Sequence, residues 1–217
     1  MEFLETGPRD ARETVVLAPG AGAPMDSAFM NAVAEGLADA GLRVVRFEFP
    51  YMQRRRETGD RQPPDREPVL RKTWCEVVER LGGGPGLVLG GKSLGGRIAS
   101  LVADEVRARG LLCFGYPFHP AGQPDKLRIA HLAELRTRAL IVQGERDPLG
   151  DPDEVAKYKL SNKIRIVWME DGDHSLKPRK RSGRTEEQNL REAVEAAAAF
   201  VASLAGTAVV RRRPART

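Results

Sequence analysis

Histidine, cysteine and long apolar runs are all scarce in this chain, and each scarcity narrows what it can do. His119, His131 and His174 are the only three imidazoles available for acid–base or metal chemistry near neutral pH. Two cysteines, Cys75 and Cys113, stand far apart. They make no disulfide framework, fit a reducing cytoplasm, and have no partner at metal-ligand spacing. No apolar run approaches the roughly 18 residues of a membrane span. The acidic start, Met1-Glu2-Phe3-Leu4-Glu5, lacks the pattern of a secretory signal. The expectation is a cytoplasmic protein with no membrane attachment and no metal.

Charge is plentiful in both signs. The balance of 35 Lys and Arg against 30 Asp and Glu leaves +5 on 217 residues, and the excess gathers at 54–56, 177–181 and 211–213. Such clusters can attract phosphates or nucleic acid. No aromatic–basic interleaving or groove-reading motif accompanies them, so solvated loops are the simpler reading and nucleic acid is not an expected partner. No repeat or composition shift divides the chain. One domain over 1–206 is expected, followed by a basic, disordered tail over 207–217; oligomeric state is not legible.

What the sequence does contain is a regular alternation. Short apolar runs at 14–18, 43–49, 87–89, 111–114, 139–142 and 164–168 predict six strands. Between them, patterns at 29–40, 69–81, 94–109, 153–160 and 186–204 predict helices. The charged, proline-containing stretch 53–68 predicts a loop, and 116–135 an irregular connection. Parallel neighbours need crossovers, so this alternation implies a parallel sheet with helices on both faces, a three-layer α/β/α sandwich.

The most specific local signal is Gly91-Lys92-Ser93-Leu94-Gly95, which matches G-x-S-x-G directly after a strand and before a helix. Such a turn is strained, and glycines two residues either side leave room for it. It would hold the Ser93 hydroxyl clear of the sheet and put the Leu94 N–H at a helix N-terminus, where negative charge is favoured. A Gly-rich helix cap or an anion-binding turn are the plainer alternatives, though the lysine is misplaced for a P-loop. Of the histidines, His174 alone follows the last strand, at the sheet end where this architecture gathers active groups. Asp147, in Gly144-Glu145-Arg146-Asp147 after the fifth strand, fits the orienting acid, with Glu145 and Asp151 as neighbours that could replace it. The small-residue loop Pro19-Gly20-Ala21-Gly22-Ala23 could supply a second oxyanion donor, Ala21 N–H first and Gly22 N–H second.

These motifs resemble the α/β-hydrolase superfamily over about 14–204. More narrowly, they resemble its small lidless branch, near dienelactone hydrolases and the testis-expressed-type hydrolase-like proteins. The resemblance implies a reduced α/β-hydrolase fold of about six parallel strands in the order 2-1-3-4-5-6, and an acyl-serine mechanism without metal or organic cofactor. Pro19 departs from the histidine of many lipases, and the strands that usually open the fold are missing or reduced before Thr14. The expected reaction is cleavage of a small-molecule carboxylic ester or thioester; peptide carbonyls fit the same chemistry. A non-catalytic scaffold touching nucleic acid through the arginine clusters is the alternative. Lys92, Tyr51, Met52, Tyr116 and Phe118 are candidate pocket residues, and the basic run 177–184 a candidate rim for anionic substrates.

Overall fold

Residues such as Val15 and Val16 point to opposite faces of their strand, so runs apolar at every position need cover on both sides. The computed structural model, which describes residues 1–205, supplies that cover. One sheet contains β1 (Leu4–Thr6), β2 (Thr14–Ala18), β3 (Arg43–Arg46), β4 (Leu87–Lys92), β5 (Gly110–Phe114), β6 (Ala139–Gly144) and β7 (Ile164–Met169). Their order is β1-β3-β2-β4-β5-β6-β7. The six expected strands are all parallel and lie in the expected order.

The seventh strand corrects the expectation for the start of the fold. β1 pairs antiparallel with β3, from Leu4 opposite Arg46 to Thr6 opposite Val44. It is too short and polar to register as an apolar run. Side chains fix it instead: Arg43 bonds Glu5 at 3.1 Å and Arg46 Nη2 donates to Thr6 Oγ1 at 3.0 Å.

The helices are α1 (Ala28–Asp39), α2 (Pro50–Thr58), α3 (Glu67–Arg80), α4 (Leu94–Val102), α5 (Pro152–Val155) and α6 (Glu186–Ala205). On one face α1 and α6 lay Met30, Val33, Leu37, Ala193, Ala197 and Val201 over Val15, Leu17, Val88 and Leu112. On the other, α3 and α4 pack Trp74, Val77, Ile98 and Val102 against Val16, Leu89, Leu111 and Ile141. Among the described residues, no helix is long and apolar enough to cross a membrane.

Helix α2 replaces part of the expected 53–68 loop. Pro50 stands in its first turn, where a fixed φ suits helix and the missing N–H costs nothing. Only Tyr51 and Met52 are buried, so no apolar period betrays the helix. Its charges are tied down instead. Arg54 bonds Asp65 at 2.6 Å, and Arg56 bonds both Asp26 at 2.6 Å and the buried Glu48 at 2.7 Å. Gly59, at φ 75°, ends it. The helix expected over 153–160 is a single turn, capped by the Asp151 side chain on Glu154 N. The expected tail at 207–217 lies outside the described residues.

Trp74 meets Phe47 edge-on, with centroids 4.7 Å apart. Its indole N–H is buried without a hydrogen-bond partner among the described residues. Trp74→Ala is therefore expected to cost about 3–5 kcal/mol. Trp74→Phe, which removes the unpaired donor along with part of the ring, should cost less than half of that. Urea unfolding of the two variants checks the contrast.

Candidate active site

The sharp turn after β4 closes two stretches of backbone onto one atom of a third. A Cβ on Gly91 or on Gly95 would stand 2.0 Å from the Ala18 carbonyl oxygen at the end of β2. Glycine at both places lets β4 and the first turn of α4 close onto β2, and Ser93 takes up the reversal at φ 49°, ψ −112°. That conformation is costly for a residue with a side chain. It is held by the Ser93 N–H donating to Phe114 O on β5 at 3.0 Å, and by Arg97 N–H donating to Ser93 O at 2.9 Å. Leu94 follows as the first residue of α4, where amides have no intrahelical acceptor.

His174, after β7, and Asp147, after β6, converge on this serine. His174 Nε2 lies 2.9 Å from Ser93 Oγ, and His174 Nδ1 lies 2.8 Å from Asp147 Oδ2. The imidazole is about a quarter exposed while the carboxylate is fully buried. Burial of that carboxylate is met by donors: Gln143 Nε2 reaches Oδ2 at 2.8 Å and Leu149 N–H reaches Oδ1 at 2.9 Å. A hydroxyl on an imidazole whose far nitrogen faces a carboxylate is the arrangement that activates a serine nucleophile.

Gln143 belongs to no motif, and its one signal in the sequence is a lone amide at the end of the apolar run Ala139–Val142. Its amide also bonds both backbone groups of Tyr116 and the carbonyl of Gly150. The two loops beyond β6 and β7 are stitched together as well. Glu145 N–H donates to Met169 O, Arg146 N–H to Gly172 O, and Asp171 N–H to the Glu145 carboxylate. A Cβ on Gly144 would stand 2.3 Å from Asp173 O, so glycine is required where the loops meet.

Ser93 and His174 open into a cavity of about 300 Å³, walled by the Gly20–Ala23 loop, Phe29, Met30 and Ser175. The carbonyl of Ala21 accepts from Tyr51 Oη at 3.3 Å, and that of Gly22 from Arg55 Nη1 at 3.1 Å. In a trans peptide the N–H points opposite the carbonyl, so the Gly22 amide is aimed away from Tyr51.

Four expected pocket residues are core residues instead. Tyr51, Met52, Tyr116 and Phe118 are at most 2% exposed, because three rings and one thioether complete the packing under α2 and beside β5. Tyr51 stacks on Phe49 and Tyr116 leans on Phe118. Lys92 does line the cavity, but its ammonium donates to the His174 carbonyl at 2.5 Å and sits over the Phe29 ring. Gly115 makes room for it: a Cβ there would be 2.6 Å from both Lys92 Nζ and His174 O. The basic run at 177–184 is largely spent on internal pairs. Lys177 bonds Glu186 at 2.9 Å, Arg184 bonds Glu192 at 2.6 Å, and Arg179 clasps Asp171, holding that carboxyl down at about 2.

The fold and this constellation coincide with one family. Over residues 11–202 the sequence matches the model of the alpha/beta hydrolase domain. The chain belongs to the α/β-hydrolase family, and is a small member of it. It is 34% identical over 140 residues to the putative protein-lysine deacylase ABHD14B of Rattus norvegicus. That match takes in 64% of this chain and 63% of the relative's length. Among solved structures, a dienelactone hydrolase from Anabaena variabilis is 21% identical with a TM-score of 0.68, over 93% of this chain and 90% of that one. A serine hydrolase without lid from Xanthomonas campestris is 19% identical with a TM-score of 0.61, over 89% and 88%. Those two likenesses carry the fold alone.

Burial pulls the Lys92 ammonium from its ordinary 10.5 to about 8, against the opposing pull of Asp147 and Asp173. Above pH 8 the folded chain sheds this proton while the unfolded chain keeps it until about 10.5. The unfolded state then binds more protons, so this group's contribution to stability rises with pH across that window. Lys92→Met lacks the titration. The stability of wild type relative to Lys92→Met is therefore expected to increase between pH 7 and pH 10 in urea unfolding; parallel curves would contradict the burial argument.

Proposed function

We propose that the protein is a serine hydrolase that cleaves a carboxylic ester or thioester through an acyl-serine intermediate. Ser93 is the nucleophile, His174 the base and Asp147 the residue that orients it. The observation carrying this reading is the unbroken line from Ser93 Oγ through both ring nitrogens of His174 to a buried carboxylate, with steps of 2.9 and 2.8 Å.

In the acylation step His174 Nε2 takes the Ser93 proton as Oγ attacks the carbonyl carbon. The tetrahedral oxyanion is met by the Leu94 amide at the head of α4 and by an amide of the Ala21–Gly22 turn. Gly22 N–H is favoured over Ala21 N–H by the Tyr51 bond that turns the Ala21 carbonyl the other way. His174, now an imidazolium steadied by Asp147, protonates the leaving group as the carbonyl re-forms. Water then attacks the acyl-serine with His174 again as base, releasing the acid and restoring Ser93. Gln143 acts through Asp147, holding its carboxylate ready to receive the imidazole N–H.

The paired state of Arg54, Arg56, Lys177, Arg179 and Arg184 favours hydrolysis over a nucleic-acid scaffold, since those charges are already met by acids. A second reading follows from the rat relative, named as a deacylase of protein lysine. The same steps release an acyl group from an amide nitrogen, with the amine as leaving group. Either way the substrate is an acyl compound.

Ser93→Ala is expected to abolish both turnover of p-nitrophenyl acetate and labelling by a fluorophosphonate. Asp147→Asn, which presents the wrong hydrogen-bond partner to the imidazole, should lower kcat by about 10³–10⁴. A folded wild-type protein that neither labels nor turns over any ester, thioester or acyl-lysine peptide would sink the proposal.

A further inference from the structure

A second depression adjoins the first. It has a volume of about 470 Å³ and runs between the first turns of α1 and α6, with Ala28, Phe29 and Ala32 on one side and Leu190 on the other. Phe29 and Ser175 belong to the walls of both this trough and the cavity that holds Ser93. The two spaces are therefore neighbours across a saddle made by one ring and one small residue. Glu186 and Glu187 edge the trough, but its lining is mainly hydrocarbon.

The trough is a built feature. Leu176 in its lining is 1% exposed and is held at φ 66°, a left-handed conformation that a branched residue adopts at a cost. Its N–H donates to Asp173 O at 2.8 Å, and its carbonyl accepts from the buried Asn189 at 2.8 Å. Asn189 Nδ2 also reaches Glu170 O at 2.9 Å, and Arg184 braces its oxygen. The segment that carries His174 is thus pinned to α6 by one amide, and the same pin shapes the trough.

We propose that this trough receives the leaving group of the substrate, and that this leaving group is an extended apolar arm: an alcohol, thiol or amine with an alkyl or aryl stem. The assignment rests on the serine-hydrolase reading above. Position follows from the chemistry. The oxyanion must lie toward the Leu94 and Ala21–Gly22 amides, whereas the departing atom must be within reach of the proton on His174 Nε2. It therefore leaves on the side of His174, and the next residue along, Ser175, is where the trough begins. Apolar walls then reward hydrocarbon on that side of the scissile bond.

Two ester series test this, one of acetates with the alcohol growing from methyl to octyl, the other of methyl esters with the acid growing likewise. For wild type, kcat/KM is expected to rise about two- to fourfold per methylene along the alcohol series until the trough is filled. Ala32→Trp, which fills the trough from α1, should flatten that rise, and Ala28→Trp, one turn earlier, provides an independent block. Fluorophosphonate labelling of Ser93 reports whether each variant keeps an intact site. A flat alcohol series in a wild type that turns over methyl acetate would overturn the assignment. So would a rise confined to the acid series, or a rise that both tryptophan variants leave intact. Absence of all turnover and labelling would instead overturn the serine-hydrolase reading, and this inference with it.

Discussion

The carbonyl oxygen of Ala18 tolerates no side chain on either of the two glycines that approach it, and the rest of the site depends on that contact. Gly91 on β4 and Gly95 on α4 both close on the same atom. Because they do, the chain reverses within a few residues and the strain is concentrated on Ser93. Three properties follow together: a hydroxyl raised above the sheet, an unspent amide beside it, and a helix whose positive end faces the same space. None would survive a wider turn.

The remaining groups reach Ser93 because parallel strands end on one side of the sheet. β6 delivers Asp147, β7 delivers His174, and β2 delivers the Gly20–Ala23 loop, each within a few residues of its strand. The side chains proposed to set the chemistry thus follow directly on strands of one sheet. The walls that would meet substrate come from helices α1 and α6 and from loops. Changes in those walls alter what is accepted while leaving the hydrogen-bonded line alone.

Ser93 was the most legible residue because its motif encodes a steric demand, and steric demands of backbone are written locally. That His174 and Asp147 come to lie beside Ser93 follows from position, as polar residues just past apolar runs. Tyr51, Met52, Tyr116 and Phe118 fit a pocket or the core equally well in sequence, because an aromatic or thioether side chain near a strand end looks the same in either place. Only the packing of Phe49, Phe118 and their neighbours decides it. β1 and α2 were invisible for a related reason: both are held by ion pairs with distant partners, such as Glu5 with Arg43 and Arg56 with Glu48, and carry almost no apolar pattern. The basic run at 177–184 suggests a binding rim, yet three of its five cations, Lys177, Arg179 and Arg184, are paired with Glu186, Asp171 and Glu192.

The stitching between the loops beyond β6 and β7 has a dynamic consequence. Backbone bonds from Glu145 and Arg146 to Met169 and Gly172, and the lock of Gly144 against Asp173, make the two loops one body. Ser93 is anchored separately, through β4, β5 and α4, and meets the first body through the bond from Lys92 to the His174 carbonyl. Local opening of the first body would release His174 and Asp147 in one event, at one free-energy cost, and their amides would exchange with solvent at a common rate. The molecule would then pass between an intact site and a bare serine, with no interval in which the imidazole remains but has lost its carboxylate.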